Sequence, residues 1–85
     1  MGGVRIYGNK TCAYCGAARM LFTKKGVDFE DIIVTDDADK RAEMESLSGR
    51  SSVPQVFIGD RHVGGFDELC ALDKSGELDT LLASR

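Results

Sequence analysis

No stretch of this 85-residue chain approaches the ~18 apolar residues that a membrane-spanning helix requires. Positive charge is scarce too: eleven Lys and Arg stand against fourteen Asp and Glu, a net charge of −3. Nucleic-acid binding needs a clustered basic face, so this balance argues against it while leaving room for a local basic patch. The start, "MGGVRIYG", has neither a basic leader nor a long apolar run, so no secretory signal is expected. Gly2 follows Met1, but myristoylation needs Ser or Thr at position 6, which is Ile6. Internal repeats, low-complexity tracts and linkers are also lacking. A composition 42% apolar and 29% charged then fits a single domain over residues 1–85. Such a chain buries roughly 60–65% of its unfolded surface, enough for one small core. The expected compartment is the cytoplasm, where paired cysteines are more often catalytic or metal-binding than structural.

What is present follows a clear order. "VRIYG" (4–8) is β-branched and aromatic and ends in glycine, which predicts a strand. Residues 13–25 switch to helical spacing, with Ala17, Met20 and Leu21 as a narrow apolar stripe, and "KKG" (24–26) stops the helix. "VDFEDIIV" (27–34) predicts a second strand, parallel to the first because a helix lies between them. Residues 35–49 predict a second helix, capped by Asp36 or Asp37 and closed by Gly49, with Ala42, Met44 and Leu47 facing inward. "PQVFIGDRHVGG" (54–65) predicts a hairpin turning at Gly59-Asp60. The remainder carries leucines at helical intervals and breaks at Ser75-Gly76. The predicted order is β-α-β-α-β-β-α, an α/β fold with a four-stranded mixed sheet flanked by helices.

Cys12 and Cys15, three apart, fall on the turn from the first strand into the first helix. In this pattern that is the thioredoxin-like redox arrangement. At an ordinary pKa near ~8.5 a thiol is only ~3% thiolate at pH 7. Cys12, at the helix start, faces unpaired backbone N–H groups and the positive end of the helix dipole, and Lys10 can add a cation. Cys12 is therefore the expected nucleophile, and Cys15, nearly a turn deeper, the thiol that resolves its mixed disulfide. Two other readings compete. A zinc site would have to recruit Cys70 and His62 at spacings matching no finger or ribbon. A structural disulfide would close too short a loop to contribute much. Cys70 reads most simply as a small apolar residue on the inner face of its helix, and His62 as a solvent-facing residue of an edge strand.

Four features in order make the chain resemble a glutaredoxin of the dithiol class: "KTCAYC" (10–15), Arg41 in the second helix, "SVP" (52–54) and "GGFDEL" (64–69). Singly each has an ordinary explanation: solvated charges at Lys10 and Arg41, a helix cap at Asp67, glycines ending a strand. Their joint order is specific. The resemblance implies a thioredoxin-like (glutaredoxin) fold and a glutathione-dependent thiol–disulfide oxidoreductase with Cys12 and Cys15 catalytic. It implies that glutathione pairs with the Val53 main chain beside a cis peptide before Pro54, with Tyr14 lining the groove. Lys10 and Arg41 would hold one carboxylate. The helix start at Phe66 and Asp67 would take the γ-glutamyl end, with Gly64 and Gly65 leaving room for close approach. The implied partners are glutathione, glutathionylated proteins and disulfide substrates such as ribonucleotide reductase, with no nucleic acid or membrane, and the protein is expected to be a monomer. No metal is expected for that chemistry. Ala13, where the family commonly has proline, is the exception: it resembles members that hold a two-iron, two-sulfur cluster between two protomers, with Cys12 as ligand.

Overall fold

The computed structural model describes residues 3–84. The strands are β1 (Val4–Gly8), β2 (Phe29–Ile33), β3 (Gln55–Ile58) and β4 (Arg61–Gly64). The helices are α1 (Ala13–Lys24), α2 (Ala38–Ser48), α3 (Phe66–Ser75) and α4 (Glu77–Ser84). One sheet runs in the order β2-β1-β3-β4, with β1–β2 parallel and β1–β3 and β3–β4 antiparallel. The four-stranded mixed sheet matches the predicted architecture, and antiparallel pairing puts the end of β1 beside the start of β3, with Tyr7 opposite Gln55.

Period-two alternation along the strands splits the core across the sheet. Val4, Ile6, Val56 and Ile58 face α1, α3 and α4, where they meet Ala18, Phe22, Leu69, Leu78 and Leu82. Tyr7 and Phe57 point to the other face, against Ile32, Val34 and Met44. Turn chemistry holds where glycine is required. Gly59 turns the β3–β4 hairpin at φ 60°, and Gly76 separates α3 from α4 at φ 83°.

The helix faces differ from expectation in two places. In α1 the buried residues are Cys15, Ala18 and Phe22, while Met20 is 61% exposed and Ala17 and Leu21 are half-buried. Cys15 packs as a small apolar residue beneath β1 and so sets the rotation of the helix. In α2 only Met44 is buried; Ala42 and Leu47 are exposed. This helix is tied down by a polar contact as well, because the buried Tyr7 hydroxyl donates to the Glu43 carboxylate. Burial, with that bond second, pushes the Tyr7 hydroxyl up to about 12. One apolar anchor and one partly buried hydrogen bond replace the expected apolar stripe. The second helix also begins later than predicted. Asp36 takes a left-handed turn at φ 59°, and Asp37 is the cap, its Oδ1 accepting from the Lys40 N–H at 3.0 Å.

Candidate active site

The dithiol sits where β1 passes into α1. Cys12 is the N-cap of α1, in extended conformation, and its Sγ accepts from the Cys15 N–H at 3.4 Å. A sulfur thus fills the position that Ser, Asp or Asn usually holds, and the first-turn N–H groups favour it as an anion. Cys12 is partly exposed and Cys15 fully buried. Burial pushes the Cys12 thiol up, but hydrogen bonds from Cys15 and from the Tyr14 backbone, with the Arg19 charge, bring it below the ordinary thiol value. Cys15 goes the other way. Burial, reinforced by the Cys12 sulfur and opposed by the Asn9 N–H, pushes it up to about 11. The two thiols are differentiated before any substrate arrives.

The cation beside them is Arg19, which the sequence reading did not single out. Its Nε pairs with Asp31 Oδ1 at 2.9 Å and its Nη2 donates to the Asn9 carbonyl at 3.1 Å. Lys10 is exposed, and the leading influences on Cys12 do not include it. Gly8 was likewise missed. A Cβ there would stand 2.8 Å from Cys15 Sγ, so glycine makes the space in which the buried sulfur lies. Neither residue carries a local signal; each matters only through the pairing of β1 with α1 and β2.

A groove of about 310 Å³ is lined on the α1 side by Tyr14, which stands between the two cysteines; neither cysteine lines it. Tyr14 and Phe66, with ring centroids 5.9 Å apart, line it together with Ser52, Val53 and Pro54. Gly65, Asp67, Glu68 and Arg50 complete the lining and supply its charged groups. The Val53–Pro54 peptide is cis. Asp67 is exposed, and its carboxylate has no hydrogen bond or ion pair among the described residues. Glu68 is engaged: it accepts from the Gly65 N–H at 2.6 Å and from Arg50 at 3.1 Å. Those two bonds, in that order, hold its carboxyl below the usual range.

The groove gathers Tyr14, Val53, Pro54, Gly65, Phe66 and Asp67 and leaves out two expected residues. Arg41 lies in a separate depression with Val34, Asp36 and Asp37, its guanidinium donating to the Ser51 carbonyl at 3.1 Å. Lys10 does not line the groove either. Arg50, unnoticed in the sequence, is the guanidinium that does. A Cβ on Gly64 would also meet Glu68 Oε1 at 2.7 Å. That space admits the cap of α3.

Among the described residues no group of three or more His, Cys, Asp or Glu side chains could hold a metal, so Cys70 and His62 do not complete a zinc site with the pair. Cys70 is half-buried on the shoulder of α3, where Leu69 takes the inner position expected for it. His62 is not a solvent-facing side chain: it is half-buried, 2.7 Å from Gln55 Oε1 and stacked near Phe57.

Comparison with known proteins agrees with this geometry. The glutaredoxin family model matches residues 4–63. The chain is 49% identical to glutaredoxin 3 of Escherichia coli K12 over 82 residues, 96% of this chain and 99% of that one. It is 44% identical to a Pseudomonas aeruginosa glutaredoxin, covering 99% and 100%. Among solved structures, a buckwheat glutaredoxin–glutathione complex superposes with a TM-score of 0.88 at 27% identity, over 98% of this chain and 78% of that one. The Brucella melitensis glutaredoxin gives 0.83 at 46% identity, over 96% and 89%. With its Cys12–Cys15 pair at the head of α1, this chain is a dithiol thiol–disulfide oxidoreductase and belongs to the glutaredoxin family.

Proposed function

We propose that this protein is a glutathione-dependent oxidoreductase that reduces protein–glutathione mixed disulfides and protein disulfides. The observation that carries the reading is the groove that Tyr14, the residue between Cys12 and Cys15, shares with Phe66, the Ser52–Pro54 segment before β3 and the unengaged Asp67 carboxylate. Glutathione is a short peptide with two carboxylates, one ammonium and the reacting sulfur. Its cysteinyl part would pair with the Val53 main chain as an added strand. Its γ-glutamyl carboxylate would meet the N–H groups at the start of α3, and its ammonium would meet Asp67. Arg50 is the better placed cation for a carboxylate at that end. Lys10 and Arg41 do not line the groove and would reach the far carboxylate from outside it.

The chemistry follows from the unequal thiols. The Cys12 thiolate attacks the glutathionyl sulfur of a mixed disulfide, the S–S bond breaks, and the protein thiolate leaves and takes a proton from water. Cys12 now carries glutathione. The thiolate of a second glutathione attacks that adduct, releasing glutathione disulfide and restoring the Cys12 thiolate. On a protein disulfide, such as that of ribonucleotide reductase, the Cys12 thiolate attacks one sulfur and frees the other as a thiolate. Cys15 then gives its proton to water and attacks Cys12 Sγ, releasing the second substrate thiolate. Two glutathiones reduce the internal disulfide left behind, giving glutathione disulfide. Cys15, held up at about 11, is a poor first nucleophile. It becomes easier to ionise once the Cys12 charge is consumed in a disulfide. Glutaredoxins poise near roughly −200 to −230 mV, within reach of a glutathione pool.

The unit that performs this is one domain over residues 1–85, acting as a monomer in the cytoplasm. Turnover of a small mixed disulfide with glutathione as sole reductant tests the reading. Reduction only by thioredoxin reductase would assign the chain to a different electron donor.

A further inference from the structure

Gln55, the first residue of β3, is the fully buried polar side chain of the core. Both ends of its amide are used. Nε2 donates to the Ser52 carbonyl at 3.0 Å and to the Ser52 hydroxyl at 3.2 Å, while Oε1 lies 2.7 Å from His62 Nε2. A carbonyl can only accept, so the amide is oriented with nitrogen toward Ser52 and oxygen toward His62. His62 must then donate from Nε2. The His62 ring is itself braced, its centroid 4.9 Å from that of Phe57, which lies in the core under α2.

A hydrocarbon at position 55 would fill the same volume without the cost of burying an amide. What the amide adds is a fixed link between the edge strand β4 and the segment that borders the groove. Ser52 immediately precedes Val53 and Pro54, and all three line that groove. We propose that Gln55 and His62 are positioning residues, a strut from β4 into the Ser52 carbonyl that fixes where the Val53 main chain stands for glutathione. The proposal rests on the glutathione reading above. Protonation of His62 leaves the strut intact, because the neutral Nε2–H tautomer and the imidazolium both donate at that nitrogen.

The test compares the wild type with Gln55→Met, which keeps the volume and removes the amide, and His62→Phe, which keeps the ring and removes the donor. A third variant, His62→Gln, returns an N–H donor. Turnover of the cysteine–glutathione mixed disulfide is measured beside alkylation of Cys12 by iodoacetamide, which needs no groove. Gln55→Met and His62→Phe should each lose roughly five- to tenfold in kcat/KM, chiefly through KM. Alkylation should stay within about twofold in both, and His62→Gln should recover most of the loss. Unchanged kcat/KM in folded Gln55→Met and His62→Phe overturns the strut. So does an equal loss in His62→Phe and His62→Gln, since the ring would then matter and not the hydrogen bond. If Gln55→Met does not fold, the two His62 variants decide. A wild type that fails to turn over with glutathione instead overturns the glutathione reading itself, and the strut with it.

Discussion

Cys12 Sγ caps the helix that carries Cys15, accepting the Cys15 N–H at 3.4 Å. One contact therefore stabilises the exposed thiolate and also ties it to the thiol that resolves its mixed disulfides. Because the pair is asymmetric in burial as well as in charge, its two members should respond differently to every perturbation.

Cys12→Ser should abolish oxidoreductase activity, while Cys15→Ser keeps turnover on glutathionylated substrates and loses it on those that need an internal disulfide. The exposed thiol attacks first, and a second glutathione can replace the buried one. Steady-state assays with a glutathionylated peptide and with a protein disulfide separate the two. Substantial activity in Cys12→Ser would contradict the assignment.

The rate of Cys12 alkylation against pH should inflect below the ~8.5 of an ordinary thiol. The thiolate is the reactive form, so a lowered pKa keeps the rate high as pH falls, until it drops through that value. Arg19→Gln should raise the inflection more than Lys10→Ala, because Arg19 is the cation that acts on both sulfurs. Each change should stay under about one pH unit, since helix-end hydrogen bonds remain. A larger shift in Lys10→Ala would reverse the ranking.

Stability should carry the opposite signature from Cys15. Its thiol is at about 11 in the folded chain, above the ~8.5 of an unfolded one. Between those values the unfolded chain has released a proton that the folded chain keeps. The contribution is therefore complete below ~8.5 and is lost as pH rises toward about 11. Urea midpoints under reducing conditions should fall more steeply with alkaline pH in the wild type than in Cys15→Ser. Tyr7, pushed up to about 12, adds a loss of the same sign to both proteins. Parallel curves would contradict the buried, neutral Cys15.

Gly8→Ala should destabilise by ~1–3 kcal/mol, the usual penalty for overpacking, because its Cβ would stand 2.8 Å from Cys15 Sγ. Denaturant titration measures it. A neutral effect would mean that Cys15 can move away without loss.

Much of this molecule is legible along the chain. The strands follow from β-branched runs, the hairpin from Gly59-Asp60, and the redox pair from its place between the first strand and helix. What escapes local reading depends on register. Arg19 matters because parallel pairing of β1 with β2 brings Asp31 beside α1, and nothing near position 19 announces that. The choice between Arg41 and Arg50 depends on the turn after α2. Gly49, at φ 71°, ends the helix, and Arg50 then reaches Glu68 on α3 while Arg41 stays on the helix and donates to Ser51. Gln55 reads from sequence as a polar residue in a strand, and only its two partners reveal that both ends of the amide are occupied.

The groove assignment makes a graded prediction. Asp67→Ala should lower kcat/KM for glutathione by roughly 5–30-fold, the scale of one charge-assisted contact. Arg50→Ala should fall further than Arg41→Ala, because Arg50 lines the groove and Arg41 does not. Kinetics with a glutathionylated peptide at fixed ionic strength check this. A greater loss in Arg41→Ala would return the carboxylate site to the second helix.

The most direct measurement uses Cys15→Ser, in which an adduct on Cys12 cannot be resolved internally. Incubated with a glutathionylated peptide and without free glutathione, it should gain one glutathionyl group. Peptide mapping by mass spectrometry should place that group on Cys12, and added glutathione should remove it. A protein that gains no adduct, or gains it on Cys70, would contradict glutathione transfer through Cys12.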